Sequence, residues 1–152
     1  MAAANFQHRY FINVNPHEVY SYLADPKSYV GLSPLVTEVS EAVTRQNAEG
    51  HTTIRYEAVE MFTFAGFIRY PNRIKVMIEL TRPAEQMINW VESIPNVRLK
   101  FVFNFQPEGN GTWIHEDVTA HMPLLLKGFV VSQAQSVQRS RGKILKQRME
   151  NR

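Results

Sequence analysis

The sequence predicts an α+β fold: a strongly twisted, seven-stranded antiparallel sheet wrapped around one long C-terminal helix, with two short helices between the first and second strands. Three observations predict it. From Leu35 to Met122 apolar residues alternate with a period of two, interrupted by hairpin-length turns. From Pro123 onward the period becomes helical, and no further proline follows. One face of each strand is apolar, and the helix carries a matching stripe, so the two bury each other.

The elements follow in order. Phe6 to Val14 puts Phe6, His8, Tyr10, Ile12 and Val14 on one side and reads as a strand. Asn15-Pro16-His17-Glu18 starts a helix, with Asn15 as N-cap, Pro16 at N1 and Glu18 placed to reach back to the cap. Asp25-Pro26 ends it, because the residue before proline is pushed out of the α region. Lys27 to Leu32 forms a second short helix, closed by Gly31 and Ser33-Pro34. Val36 to Arg45 and His51 to Glu60 are strands about the turn Asn47-Ala48-Glu49-Gly50. Arg73 to Thr81, Gln86 to Ser93, Val97 to Phe105 and Thr112 to Met122 complete the sheet, with Pro107-Glu108-Gly109-Asn110-Gly111 the clearest turn. The helix opens at Pro123 and carries Leu126, Val130, Ala134, Val137, Ile144 and Leu145 on one stripe, interrupted by Arg141. A helix of roughly 27 residues is about 40 Å long, and the sheet must pack against it.

The chain of 152 residues is expected to be a single domain. It has no cysteine, which excludes disulfides, thiolate metal sites and cysteine nucleophiles and fits a reducing, cytoplasmic setting. The N-terminal residues lack an apolar core, so no signal peptide is expected, and no run is long enough to span a membrane. The net charge of +3 is uneven: residues 127–152 hold seven Lys/Arg against Glu150, a local +6. These cations read either as a solvated helix face or as an attraction to anionic lipid or RNA. Without interleaved aromatics they make a poor nucleic-acid motif, so no such partner is expected, while peripheral membrane contact stays open. The five histidines show no metal-ligand spacing and no G-x-S-x-G elbow is present, so neither metal nor cofactor nor serine catalysis is expected.

The element order, with Val14-Asn15-Pro16-His17-Glu18-Val19-Tyr20, Asp25-Pro26 and Leu35 to Val39 at their spacings, resembles the START-like (SRPBCC) superfamily across essentially the whole chain. That superfamily includes the birch-pollen-allergen fold and the polyketide cyclase/dehydrase group. The resemblance implies a helix-grip fold and a hydrophobic cavity between sheet and helix, used for lipids, polyketides, sterols, quinones or plant-type aromatics. The leading expectation is therefore binding or transport of a small hydrophobic ligand. A polyketide cyclase/aromatase-type enzyme is the alternative. A quinone-binding or ribosome- or membrane-associating module is the third reading. The resemblance assigns no catalytic role to Arg69 or Tyr70.

A cavity of that kind needs apolar walls and a few orienting polar groups. Alternation points Phe101, Phe103 and Phe105 inward, either as cavity wall or as filled core. Three polar residues share inward faces: Glu116 with Ile114 and Val118, Glu60 with Tyr56 and Ala58, and Asn89 with Met87 and Val91. A carboxylate on an apolar face is costly unless paired or protonated. Glu60 and Glu116 therefore read as rim groups or as partners of Arg141 or another cation, or else as ligand anchors or acid/base groups. The apolar run Met61 to Ile68, with Phe64 and Phe67, is either core or an entrance lid. Phe129 and Gln133 extend the candidate ligand contacts, Tyr56 among them, onto the helix.

Overall fold

The computed structural model describes the backbone of all 152 residues and every side chain except that of Phe64. Eight strands form one sheet: β1 (Ala2–Ile12), β2 (Val36–Val39), β3 (Val43–Gln46), β4 (Thr52–Phe64), β5 (Ile68–Arg82), β6 (Gln86–Ser93), β7 (Val97–Glu108) and β8 (Gly111–Met122). The strand order is β1-β8-β7-β6-β5-β4-β2, with β3 also on β4, and every ladder is antiparallel. Helix α1 (Pro16–Leu23) and a 3-10 turn (Pro26–Tyr29) lie between β1 and β2, and α2 (Lys127–Glu150) closes the chain.

The strand count is eight rather than seven because the predicted strand Val36–Arg45 breaks in the middle. Both halves pair with β4, so they form one interrupted edge. Between them the Ser40 hydroxyl oxygen accepts from the Glu57 amide at 2.9 Å, a side-chain bond where a ladder bond would stand. Strand β5 begins five residues before the predicted Arg73. Pro71 sits inside it, beyond Ile74–Ser93, where pairing with β6 ends. A proline is tolerated there because its missing N–H has no second strand to serve. Pro123 does not open α2; it precedes a 3-10 turn over Leu124–Leu126, and α2 starts at Lys127.

Local chemistry fixes α1 as its sequence predicts. The Asn15 side chain accepts from the Glu18 amide at 3.0 Å and its Nδ2 donates to the Glu18 carboxylate at 3.1 Å. Helix α2 is anchored through its C-terminal half, where Gln138, Arg141, Gly142, Leu145 and Met149 are buried. Gly142 permits this close approach, since a Cβ there would lie 3.1 Å from the Tyr10 ring. Three of the six basic residues of α2 are engaged within the fold, while Lys127, Arg139 and Lys143 are exposed. Arg141 is internal, Lys146 donates to the Phe11 carbonyl and the Glu150 carboxylate, and Arg148 donates to the Tyr22 hydroxyl and to the Ser28 and Val30 carbonyls. Lys146 ties the helix to β1 and Arg148 ties it to the α1 region.

Candidate functional site between sheet and helix

The main core gathers Ile12, Leu23, Ile78, Met87, Phe103 and Leu145 between the sheet and the C-terminal half of α2. The N-terminal half of α2 instead stands over β4 to β7, and a cavity of about 260 Å³ lies under it. Phe62, Ile74, Val91, Leu99, Phe101, Phe129 and Val130 are among its apolar walls. Its polar groups are Glu60, Tyr70, Asn72, Ser93 and Gln133. Glu60 and Asn72 face each other across the β4–β5 ladder, and the Asn72 amide donates to the Ser93 hydroxyl at 2.9 Å. Burial pushes the Glu60 carboxyl up to about 7, against the pull of Asn72.

Of the ten candidate ligand residues, four line this cavity: Glu60, Phe101, Phe129 and Gln133. Phe62 and Phe129 pack with ring centroids 5.6 Å apart, joining β4 to the helix over the cavity. Phe103 is fully buried behind Phe101 and belongs to the core. Tyr56 and Asn89 are buried deeper as well. Phe67 is 77% exposed at the β4–β5 tip, outside the cavity lining. The Phe64 side chain lies outside the described residues.

Glu116 is 1% exposed and paired. Tyr10 donates to its Oε2 at 2.5 Å and Arg141 donates through Nη2 to its Oε1, so both oxygens are engaged. Burial, then the Glu116 charge, holds the Tyr10 hydroxyl well above its ordinary value. Burial alone would lower the Arg141 guanidinium, but Glu116 beside it raises it overall. A buried pair of this kind is costly to break, about 3–5 kcal/mol when one partner is removed. Arg69 lies apart from this pair, exposed on the β4–β5 hairpin.

Two functional-looking residues escaped the sequence reading. Gln138 is buried at 2% exposure and donates to the Glu116 carbonyl at 3.5 Å. Its spacing from Ala134, Arg141 and Leu145 placed it on the buried stripe. Tyr29 is buried with its hydroxyl donating to the Leu23 carbonyl at 2.7 Å, and nothing in its local pattern announces that.

Among the described residues, Glu49, His51 and Glu79 form a group whose ligand atoms lie within 4.8 Å of one another, the spacing a metal ion would need. The group is closed by its own hydrogen bonds. His51 Nδ1 is 2.8 Å from Glu79, and Asn47 and Trp90 donate to the same carboxylate. It lies apart from the cavity. No helix is long and apolar enough to cross a membrane.

No family model matches this chain, and no curated protein matches it. Solved structures do. An aromatase/cyclase, Zhui, from Streptomyces sp. R1128 superposes with a TM-score of 0.74 at 13% identity, covering 99% of this chain and 96% of that one. A START superfamily protein from Mycobacterium smegmatis gives 0.72 at 13% identity, covering 97% of each chain. A protein from Thermus thermophilus gives 0.70 at 23% identity, covering 97% of this chain and 98% of that one. The chain shares its fold, a long C-terminal helix gripped by an antiparallel sheet, with these structures. At these identities the likeness is one of architecture, and the cavity is defined by this chain's own side chains.

Proposed function

We propose that the chain binds one small hydrophobic molecule, a lipid, polyketide or aromatic, between the sheet and the N-terminal half of α2. The observation that carries this is the cavity itself: about 260 Å³, walled mainly by aromatic and aliphatic side chains, with a few polar groups gathered near Glu60. That size lies just below the ~300–1,000 Å³ of drug-sized sites and favours a compact ligand of one or two rings over a sterol. Burying ~300 Å² of ligand apolar surface contributes about 7 kcal/mol at ~25 cal/mol/Å² before association costs. Native mass spectrometry, compared with the denatured mass, tests it. A copurifying apolar adduct, or binding of the dye 1-anilinonaphthalene-8-sulfonate, is expected in the native chain and lost in Val130→Trp, which fills the cavity. Equal binding by a folded Val130→Trp chain would overturn the reading.

A second reading is favoured by Glu60. A carboxyl near pH 7 inside an apolar cavity suits a general acid or base, and an aromatase/cyclase shares the fold. Exchange with an anionic membrane surface is part of the first reading. It is supported by exposed Phe67, Ile68, Ile94, Leu124 and Leu125 around the cavity mouth, with exposed Arg69, Arg73, Arg98 and Lys127 beside them.

A further inference from the structure

Glu60 is the only acid among the described residues that line the cavity, and no lysine, arginine or histidine lines it. Where the chain buries a carboxylate elsewhere, it supplies partners. Glu116 has Tyr10 and Arg141 on its two oxygens, and Glu79 has His51, Asn47 and Trp90. Glu60 enters no ion pair among the described residues. Its cross-strand partners are uncharged, Val36 on β2 and Asn72 on β5. Ser93 from β6 and Gln133 from α2 share the cavity with it, and Tyr70 is the one other titratable group in the lining. Arg69 and Arg73 on β5, Arg98 on β7 and Lys127 on α2 are exposed and stand outside the lining, as do the acids Glu38, Glu57 and Glu92. A carboxylate left without a cation against apolar walls is costly.

The walls beside it are aromatic. Phe62 and Tyr70, a cross-strand pair, follow Glu60 and Asn72 along the same face of the β4–β5 ladder, and both line the cavity. Residues two apart on one strand stand about 7 Å from each other. Phe129 brings a further ring from α2, with its centroid 5.6 Å from that of Phe62. Aromatic faces attract a cation within about 6 Å of the ring centroid, so a cation hydrogen-bonded to Glu60 comes within their reach.

We infer that the cavity takes a hydrophobic amine in its protonated form, with the ammonium held by the Glu60 carboxylate among the rings of Phe62, Tyr70 and Phe129 and the apolar body lying toward Leu99 and Phe101. The inference rests on the hydrophobic-ligand reading and narrows its ligand class. A carboxylate or phosphate ligand would meet one acid and no base. A neutral alcohol could bond to Glu60 but would leave its charge uncompensated, whereas an ammonium answers the carboxylate and the aromatic faces together. Here Glu60 holds the ligand and is not an acid or base toward it.

The test compares three probes of one shape by titration calorimetry on the native chain: the 2-substituted naphthalenes naphthylmethylamine, naphthylmethanol and methylnaphthalene. At pH 8 the amine should bind at least tenfold more tightly than either neutral probe. Glu60 releases its proton near 7, so the affinity for the amine should fall about tenfold or more between pH 8 and pH 5, while that for methylnaphthalene stays level. This series needs no variant. Glu60→Gln, its folding checked by urea unfolding, should bind the amine no better than the alcohol. An alcohol that matches the amine at pH 8, or an amine affinity that ignores pH, would overturn the ammonium site and leave the apolar cavity standing. An amine preference that survives Glu60→Gln would overturn it too. Failure of all three probes to bind would remove the hydrophobic-ligand reading with it.

Discussion

Glu60 lies on an apolar strand face and opens into the cavity, where burial raises its carboxyl from 4.5 to about 7. In the unfolded chain it titrates near ~4.3. Between these values the folded chain keeps a proton that the unfolded chain has released. Stability therefore falls as pH rises from about 4.5 through 7, and the cost is complete above that, at most ~3 kcal/mol. Glu60→Gln should match the native chain at pH 4 and exceed it by about 2 kcal/mol at pH 8 in urea unfolding. A parallel pH dependence in the two chains would show that Glu60 is not held protonated. If Glu60 also works as an acid or base, the same variant must lose turnover while keeping ligand affinity. Alternation alone exposed Glu60 and Glu116 as misfits, and Arg141 as the break in the helix stripe that pairs with one of them. It could not say which was which. A period of two reports the face of a strand but not the depth behind it. Glu116 is sealed by Tyr10, 106 positions away in the chain, and by Arg141, 25 positions away, separations that no local window spans.

Helix α2 has two halves with different work. The C-terminal half is seated on β1 through small and buried residues; the N-terminal half bridges the cavity. Its two glycines separate the halves by experiment. A Cβ at Gly128 meets nothing within 4 Å, so Gly128→Ala should stabilise by about 0.5–1 kcal/mol through helix propensity. At Gly142 the Cβ would lie 3.1 Å from Tyr10, whose ring is held by its bond to Glu116 and cannot yield freely. Gly142→Ala should therefore forfeit that gain and destabilise by about 1 kcal/mol, measured as a fall in urea midpoint. A Gly142→Ala chain as stable as Gly128→Ala would mean that the helix is not pressed onto β1. At this scale the strand Gln86–Ser93 and the α1 cap were fully legible, because turn residues and caps act locally. The split of β2 from β3 was not. It depends on a Ser40 side chain bonding to a strand residue 17 positions away.

Several of the molecule's most exposed apolar side chains lie in the turns beside the cavity. The β4–β5 tip, the β6–β7 turn and the turn before α2 expose Phe67, Ile94, Leu124 and Leu125, and their neighbours Tyr70, Pro95 and Leu126 line the cavity. Leu125 is 98% exposed, an arrangement that costs free energy in water and is relieved by burial against something else. The nearby exposed cations Arg69, Arg73, Arg98 and Lys127 match an anionic bilayer. Three cations of the C-terminal helix are spent on contacts within the fold, whereas those at this mouth are exposed. The chain should bind vesicles containing phosphatidylserine, more weakly as salt rises, and bind vesicles of phosphatidylcholine alone less. Leu124→Ser with Leu125→Ser should cost about 2 kcal/mol, roughly a 30-fold loss in vesicle partitioning, because two leucines lose partial insertion. The cavity lies behind those residues rather than in them, so probe affinity in solution should be unchanged. Vesicle binding that ignores both the leucines and the salt would sink the membrane reading and leave the cavity as a site filled directly from water.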